Sequence, residues 1–356
     1  MPQSERLIDK RYLHGLGDLE RLAEGIPNTR LGAIGKVSAL VALNMRWEQA
    51  MFDRELSEHP WEVAGRFVRD AHAHLEAWQD TLFIEGSHQR VGDATPPMEE
   101  RHQDLFQALW VNFSAGDYRD RIARYVHRLE VNGLDAGFLD GLRCVDFGCG
   151  HGNFAHALLD KGASHVLGID YGEASIRYAE AARDRLGVSP ERLEFRLESV
   201  YDVAEPDASF DLAIQNGVFH HLDHEDDAYR EMHRVLRPGG WIWVYTDGEG
   251  GVSYDLWDAS VRMLREVPAH FVLEILDFMG VETNKRYHLG DGLNATYRHT
   301  SWEEITDRLG RLGFGNFRRL VGGFPTDFDH DVIEADPWGR EKFGEGDLRL
   351  LARKVS

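Results

Sequence analysis

Two cysteines in 356 residues, Cys144 and Cys149, are too few for a disulfide framework. They lie too close in sequence to make a useful staple, and they do not form the CxxC spacing of a zinc site. No stretch approaches the ~20 apolar residues of a membrane-spanning helix. The opening MPQSERLIDKRYL lacks the apolar run of a secretory leader. Positive charge is scarce: 40 Lys and Arg stand against 61 Asp and Glu, a formal charge of -21. Such a field repels phosphate backbones and anionic membranes, which disfavours nucleic acid and lipid surfaces as partners. No internal repeat or low-complexity segment is present. The expectation is a soluble cytoplasmic protein that handles a small molecule.

What is present begins with helices. Val37 to Leu56 and Trp61 to Phe83 carry apolar residues at three- and four-residue steps. In the second, Trp61, Ala64, Val68, Ala71, Leu75, Trp78 and Leu82 make one stripe. The polar stretch VGDATPPMEE, with two prolines, reads as a linker. Two further helices are expected, around Glu99 to Phe113 and Tyr118 to Val131. These features set a first boundary, with residues 1–98 as an N-terminal helical region.

From Leu142 the texture changes. The short runs RCVDF, HVLGID, LEFRLE, FDLAIQN and WIWVYTD alternate with the helical stretches FAHALLDKG, ASIRYAEAARDRLG and EDDAYREMHRVL. Alternation of this kind predicts an α/β fold, a mostly parallel sheet with helices on both faces. After Asp247 comes a helical, aromatic-rich insertion over 248–300, holding Tyr254, Trp257, Phe271, Phe278, Tyr287 and Tyr297. TSWE, Thr300 to Glu303, then reads as a capping box. NFRRLVGGF and LRLLARK supply two closing strands, for seven in all.

Ligands of an open parallel sheet bind beyond the carboxyl ends of its strands. CVDFGCGHGNF ends a strand in Asp146 and then places Gly148, Gly150 and Gly152 at alternate positions. The dinucleotide pattern GxGxxG would need glycine at position 153 or 155, and the chain has Asn153 and Ala155. The turn instead resembles the S-adenosylmethionine loop of class I methyltransferases. Further landmarks follow in the same order. GID ends the second strand in Asp170, followed by Tyr171; LESVYD follows the third; QNGVFHHL follows the fourth; HRVLRPGGWIWVYTD follows that. The core is similar to the small-molecule methyltransferases that include ubiquinone-biosynthesis enzymes.

That resemblance implies a seven-stranded, doubly wound sheet over 141–356 and S-adenosylmethionine as methyl donor. It implies that Asp146, Gly148, Gly150 and Gly152 hold the methionine end and Asp170 the ribose. Tyr171 would pack on adenine, with Ser199 and Val200 near the adenine amino group; the commoner residue at Ser199 is Asp. Gln215 would bond methionine or substrate. Residues 99–140 would cap the cofactor site, with Tyr118 as lid, just after Trp110 and Phe113. His220 and His221 would face the methyl group. A histidine there suits proton removal at neutral pH, though both could simply shape the pocket.

HHLDHEDD also admits a metal site, but acids opening the next helix explain it more simply, and no metal is expected. His72 and His74 do not share a helix face and are read as surface or interface residues. QNGVFHH is not the (D/N)PP(Y/F) of enzymes that grip a flipped adenine. The N-terminal helices are expected as substrate lid or as a homodimer surface. The competing readings are an S-adenosylmethionine-using lyase, isomerase or aminopropyl transferase, and a non-catalytic partner protein of the same fold.

Overall fold

A computed structural model describes residues 11–82, 115–281 and 297–355, together with 286, 289, 290, 292, 293 and 295. The helix expected over Glu99 to Phe113, with Trp110 and Phe113, lies outside the described residues, as does Tyr287. The chain divides into two compact units, one drawing on Met1–Glu99, Gly250–Ala295 and Ala335–Gly344, the other on Glu100–Glu249, Thr296–Glu334 and Glu345–Ser356. Residues 250–295 of the insertion are grouped with the N-terminal helices, and residues 248–249 and 296–300 with the sheet.

The first unit is helical. α1 (Arg11–Gly25), α2 (Arg30–Met51) and α3 (Pro60–Leu82) share one apolar core with the helices Gly251–Leu264 and Ala269–Phe278. Thr29 caps α2 by accepting a hydrogen bond from Gly32 N. The stripe on α3 does what its spacing predicts: Ala64, Val68, Ala71 and Leu75 are all buried. Lys342, 0% exposed, is neutralised by Asp336 at 2.9 Å and also donates to the Asp53 carbonyl at 2.7 Å.

The second unit is built on a seven-stranded sheet. Its strands are β1 (Arg143–Phe147), β2 (His165–Asp170), β3 (Leu193–Leu197), β4 (Phe210–Asn216), β5 (Leu236–Asp247), β6 (Phe314–Arg319) and β7 (Asp347–Lys354). Their order is β3-β2-β1-β4-β5-β7-β6. The first five pair in parallel, and β7 runs antiparallel to both β5 and β6. This is the class I methyltransferase fold. A parallel sheet covered on both faces needs apolar residues on both sides of its strands, and β1 and β4 are buried almost throughout.

One face is covered by α4 (Ala115–Val131) and the helices Asn153–Asp160 and Glu173–Arg185. The other is covered by Glu225–Val235 and Trp302–Arg311. Trp302–Arg311 opens with a capping box formed by Ser301 and Glu304, one residue later than TSWE suggested. Both cysteines are buried as free thiols, and burial first, then nearby carboxylates, push their ionisation upward. Among the described residues, no helix is long and apolar enough to cross a membrane.

Candidate functional site

The strand order reverses between β1 and β4, and there the glycine turn leaves the carboxyl end of β1. Gly148, Gly150 and Gly152 all have positive φ, at 71°, 52° and 78°. The need for glycine differs along the turn. A Cβ on Gly152 would stand 2.3 Å from the Phe195 ring, so packing forbids a side chain there. Among the described residues, a Cβ on Gly150 would meet no protein atom within 4 Å. Bare backbone at Gly150 therefore faces open space beside the carboxyl edge of the sheet, and a ligand can approach it closely.

Two carboxylates govern this turn. Asp170, at the end of β2, accepts hydrogen bonds from Gly150 N at 2.9 Å and Gly172 N at 2.7 Å. It ties the first glycine turn to the second strand–helix turn. Asp146 is 2% exposed, and its Oδ2 is buried with no hydrogen-bond partner in the described structure. Burial first, and the Asp170 charge second, push the Asp146 carboxyl up to about 7. A buried acceptor with nothing to accept from calls for a donor. An ammonium at the turn would supply both a donor and a compensating charge.

The remaining expected donor-site residues divide. Tyr171 follows Asp170 and is 53% exposed, and Ser199 is exposed at the end of β3 while Val200 is buried. Tyr118 is buried on α4 and donates from its hydroxyl to the His151 carbonyl at 2.7 Å. It thus anchors α4 onto the glycine turn. The His151 ring packs 4.4 Å from Tyr178, and burial, then Arg121, hold the imidazole down at about 3, so it is neutral at physiological pH.

Gln215 has a different role from the one its position suggested. It is 0% exposed. Its Nε2 donates to Tyr229 Oη and the Tyr245 carbonyl, and its Oε1 accepts from Val218 N and Phe219 N. With both ends engaged by the protein, it shapes the loop after β4 and is withdrawn from ligand contact.

That loop closes in a 3-10 turn, Phe219–His221, which separates two histidines that look equivalent in sequence. His220 is 3% exposed, whereas His221 is half-buried. His220 Nδ1 lies 3.4 Å from Thr246 Oγ1, and Nε2 lies 3.8 Å from Asp247 Oδ2. Tyr297 stands beside both rings, 5.3 Å from His220 and 4.5 Å from His221. Among the described residues, no group of three His, Cys, Asp or Glu side chains could hold a metal ion.

Sequence reasoning missed the acids behind this wall. Trp243, Tyr245 and Asp247 alternate along β5 and so share one face. The Tyr245 hydroxyl lies 3.2 Å from Asp247 Oδ1 and 3.4 Å from Asp347 Oδ1. Arg349 stacks 4.4 Å over the Tyr245 ring and binds Asp347 at 2.8 Å. The only local signal was the period-two run WVYTD; the pairing with Asp347 comes from the antiparallel register.

Comparison with known proteins agrees with this geometry. Residues 145–244 match a family described as a methyltransferase domain. The chain is 30% identical over 173 residues to a sterol 24-C-methyltransferase of Gibberella zeae, covering 46% of this chain and 43% of that one. It is 28% identical over 230 residues to a ubiquinone biosynthesis O-methyltransferase of Chromobacterium violaceum, covering 63% and 90%. Other relatives are spanned over about 60% of their length. Among solved structures, a Burkholderia thailandensis 1,6-didemethyltoxoflavin-N1-methyltransferase with bound S-adenosylhomocysteine aligns with a TM-score of 0.43 at 18% identity, covering 75% of this chain and 95% of that chain. The glycine turn, the two acids at the ends of β1 and β2, the sheet order and the matched domain together identify the chain as carrying a class I, S-adenosylmethionine-dependent methyltransferase domain.

Proposed function

We propose that the protein is a cytoplasmic enzyme that transfers the methyl group of S-adenosylmethionine to a small acceptor and releases S-adenosylhomocysteine. The observation that carries this reading is the buried Oδ2 of Asp146, without a hydrogen-bond partner in the described structure, on the strand that leads into the glycine turn. When bound, the donor supplies a methyl group made electrophilic by its sulfonium. Asp146 and the glycine turn would hold its amino-acid end, Asp170 the ribose, and Tyr171, Ser199 and Val200 the adenine side. The protein's main task is to position the acceptor for in-line displacement. His220 and His221 stand at the carboxyl end of β4, where that acceptor would lie. Self-association, where it occurs, is assigned to the N-terminal helices, on which Leu13 and Met45 are exposed.

Calorimetric titration with S-adenosylhomocysteine tests the reading: micromolar binding to the folded protein is expected, and undetectable binding would overturn it. Incubation with S-adenosylmethionine and analysis of the product separates methyl transfer, which yields S-adenosylhomocysteine, from lyase or aminopropyl chemistry.

Asp146 adds a pH dependence. Its carboxyl must ionise to pair with an ammonium, so ligand binding near neutrality releases a proton. Affinity is expected to rise between about pH 6 and pH 8 and to level above, since the carboxyl titrates at about 7. Asp146→Asn should flatten that rise in the same calorimetric series. The sign for folding is opposite. The unfolded carboxyl ionises near its ordinary value of 3.8, below the folded value of about 7. This group's contribution to stability therefore falls as pH rises across that interval.

A further inference from the structure

α2 and α3 run antiparallel, and their contact changes character along its length. At one end Gly35 lets the helices close: a Cβ there would overlap the Trp78 ring, and Trp78 Nε1 donates to the Leu31 carbonyl at 2.8 Å. Further along, the facing residues are Ala39, Ala42 and Ala71, whose side chains are too short to fill the space between the helices. The result is a groove of about 220 Å³, floored by Ala39, Leu43 and Ala71 and walled by Phe67. That exceeds the ~150 Å³ of an engineered apolar cavity that takes up benzene. Polar pairs close its two ends. Ser38 Oγ lies 3.3 Å from His74 Nε2, and Arg46 meets Asp70 at 2.6 Å while stacking 4.3 Å from the centre of the Phe67 ring. Apolar atoms that line such a space lack the neighbours that close packing supplies elsewhere.

A side chain suited to that groove stands on the same helix. Met45 is 43% exposed on α2, between Ala42 and Arg46, and an unbranched thioether adapts to an irregular hole. A surface with a hole and an apolar knob within one helical turn is self-complementary. A two-fold axis between two copies seats each knob in the other's hole. Charge permits the approach. The chain carries -21, so two copies repel over most of their surface. The exposed positions of α2 between Ser38 and Gln49 are Ala42, Met45, Arg46 and Gln49. They hold one charge, and it is positive. Asp70 on α3 supplies the opposite sign at the rim.

We propose that this groove is the contact between two copies of the chain, with Met45 of each filling the groove of the other and Arg46 of each pairing with the partner's Asp70. This rests on the assignment of self-association to the N-terminal helices and narrows it to one face. Within one copy the Arg46–Asp70 pair is about half-exposed at both ends and adds little to stability. Covered by a second copy it is shielded from water, where opposite charges attract more strongly. The same two residues thus close the rim of a single chain and set the register between two.

Sedimentation of the full-length protein from about 1 to 100 μM tests it. A reversible dimer is expected. Its dissociation constant should rise at least tenfold in Ala42→Arg, which blocks the groove, and in Met45→Asp, which removes the knob. Both positions are exposed, so thermal unfolding of the two variants should match the wild type. Charge reversal separates pairing between copies from pairing within one. Arg46→Asp and Asp70→Arg should each be monomeric alone, and an equimolar mixture should form a heterodimer. Neither chain regains its own pair in that mixture, so restored association reports contact between copies. A dimer unaffected by Ala42→Arg, or a mixture that stays monomeric, overturns the proposal. Loss of the dimer in Leu13→Asp but not in Ala42→Arg would keep the N-terminal helices as the site and reject this groove. A wild type that stays monomeric throughout overturns both.

Discussion

Asp327→Ala should lower unfolding stability by about 3–5 kcal/mol, the cost of removing one partner from a buried ion pair. Asp327 is 4% exposed and sits among three arginines. Arg128 meets both of its oxygens at 3.1 Å, Arg124 meets one at 2.9 Å, and Arg349 lies 3.9 Å away. Arg128 and Arg349 are themselves buried, so alanine would leave two cations in a low-dielectric interior without their shared acid. Gly322 is built around the same group, since a Cβ there would stand 2.1 Å from Asp327 Oδ2. Urea unfolding should show a lower midpoint with an unchanged slope. Burial opposes the charge on Asp327, but Arg128, Arg349 and Arg124 outweigh it and hold the carboxyl below its ordinary value. Its stabilisation is therefore complete above the ordinary carboxylate range and is lost as pH falls through the depressed folded value. A variant as stable as the wild type would show that the arginines find other partners.

Asp170→Ala should weaken S-adenosylhomocysteine binding at least ~100-fold, about 3 kcal/mol. Two effects combine. The carboxylate expected to meet the ribose is gone, and so is the acceptor for Gly150 N and Gly172 N. Hydrogen bonds to a charged group contribute about 1.5–3 kcal/mol each, so losing the clamp on the turn alone accounts for much of that figure. Asp170→Asn keeps one acceptor oxygen and should fall between alanine and wild type. Calorimetry on the three proteins at one pH checks the order. Equal affinity for Asp170→Ala and the wild type would mean that this acid neither orders the turn nor touches the ligand.

The parts legible in the sequence were those set by local period and local backbone geometry. β1 to β5 follow from short apolar runs alternating with helices, and three alternate glycines mark a turn wherever they occur. The α3 stripe is visible because three- and four-residue spacing is a property of consecutive residues. The Arg128–Asp327 pair is not local, since its members are 199 residues apart. Nothing in FPTDFD marks Asp327 as the hub of a buried cluster. Gln215 looked like a ligand because it ends a strand on the correct edge. Its inward turn depends on Tyr229, on a helix that packs beneath it. His220 and His221 differ because a 3-10 turn sets neighbouring side chains at different depths, a distinction that two adjacent identical letters cannot carry.

The two buried thiols have a consequence beyond the absence of a disulfide. Cys144 lies in β1, the strand flanked by β2 and β4, and is 0% exposed. Cys149 lies in the glycine turn itself and is 9% exposed. The reactive form of cysteine is the thiolate, and burial suppresses it at both positions. An alkylating reagent in solution therefore meets almost no reactive sulfur on the folded unit. The rate at which it consumes Cys144 reports how often the centre of the sheet opens, and the rate at Cys149 reports how often the donor turn does. The chain thus carries, in its only two cysteines, separate clocks for its scaffold and its binding loop.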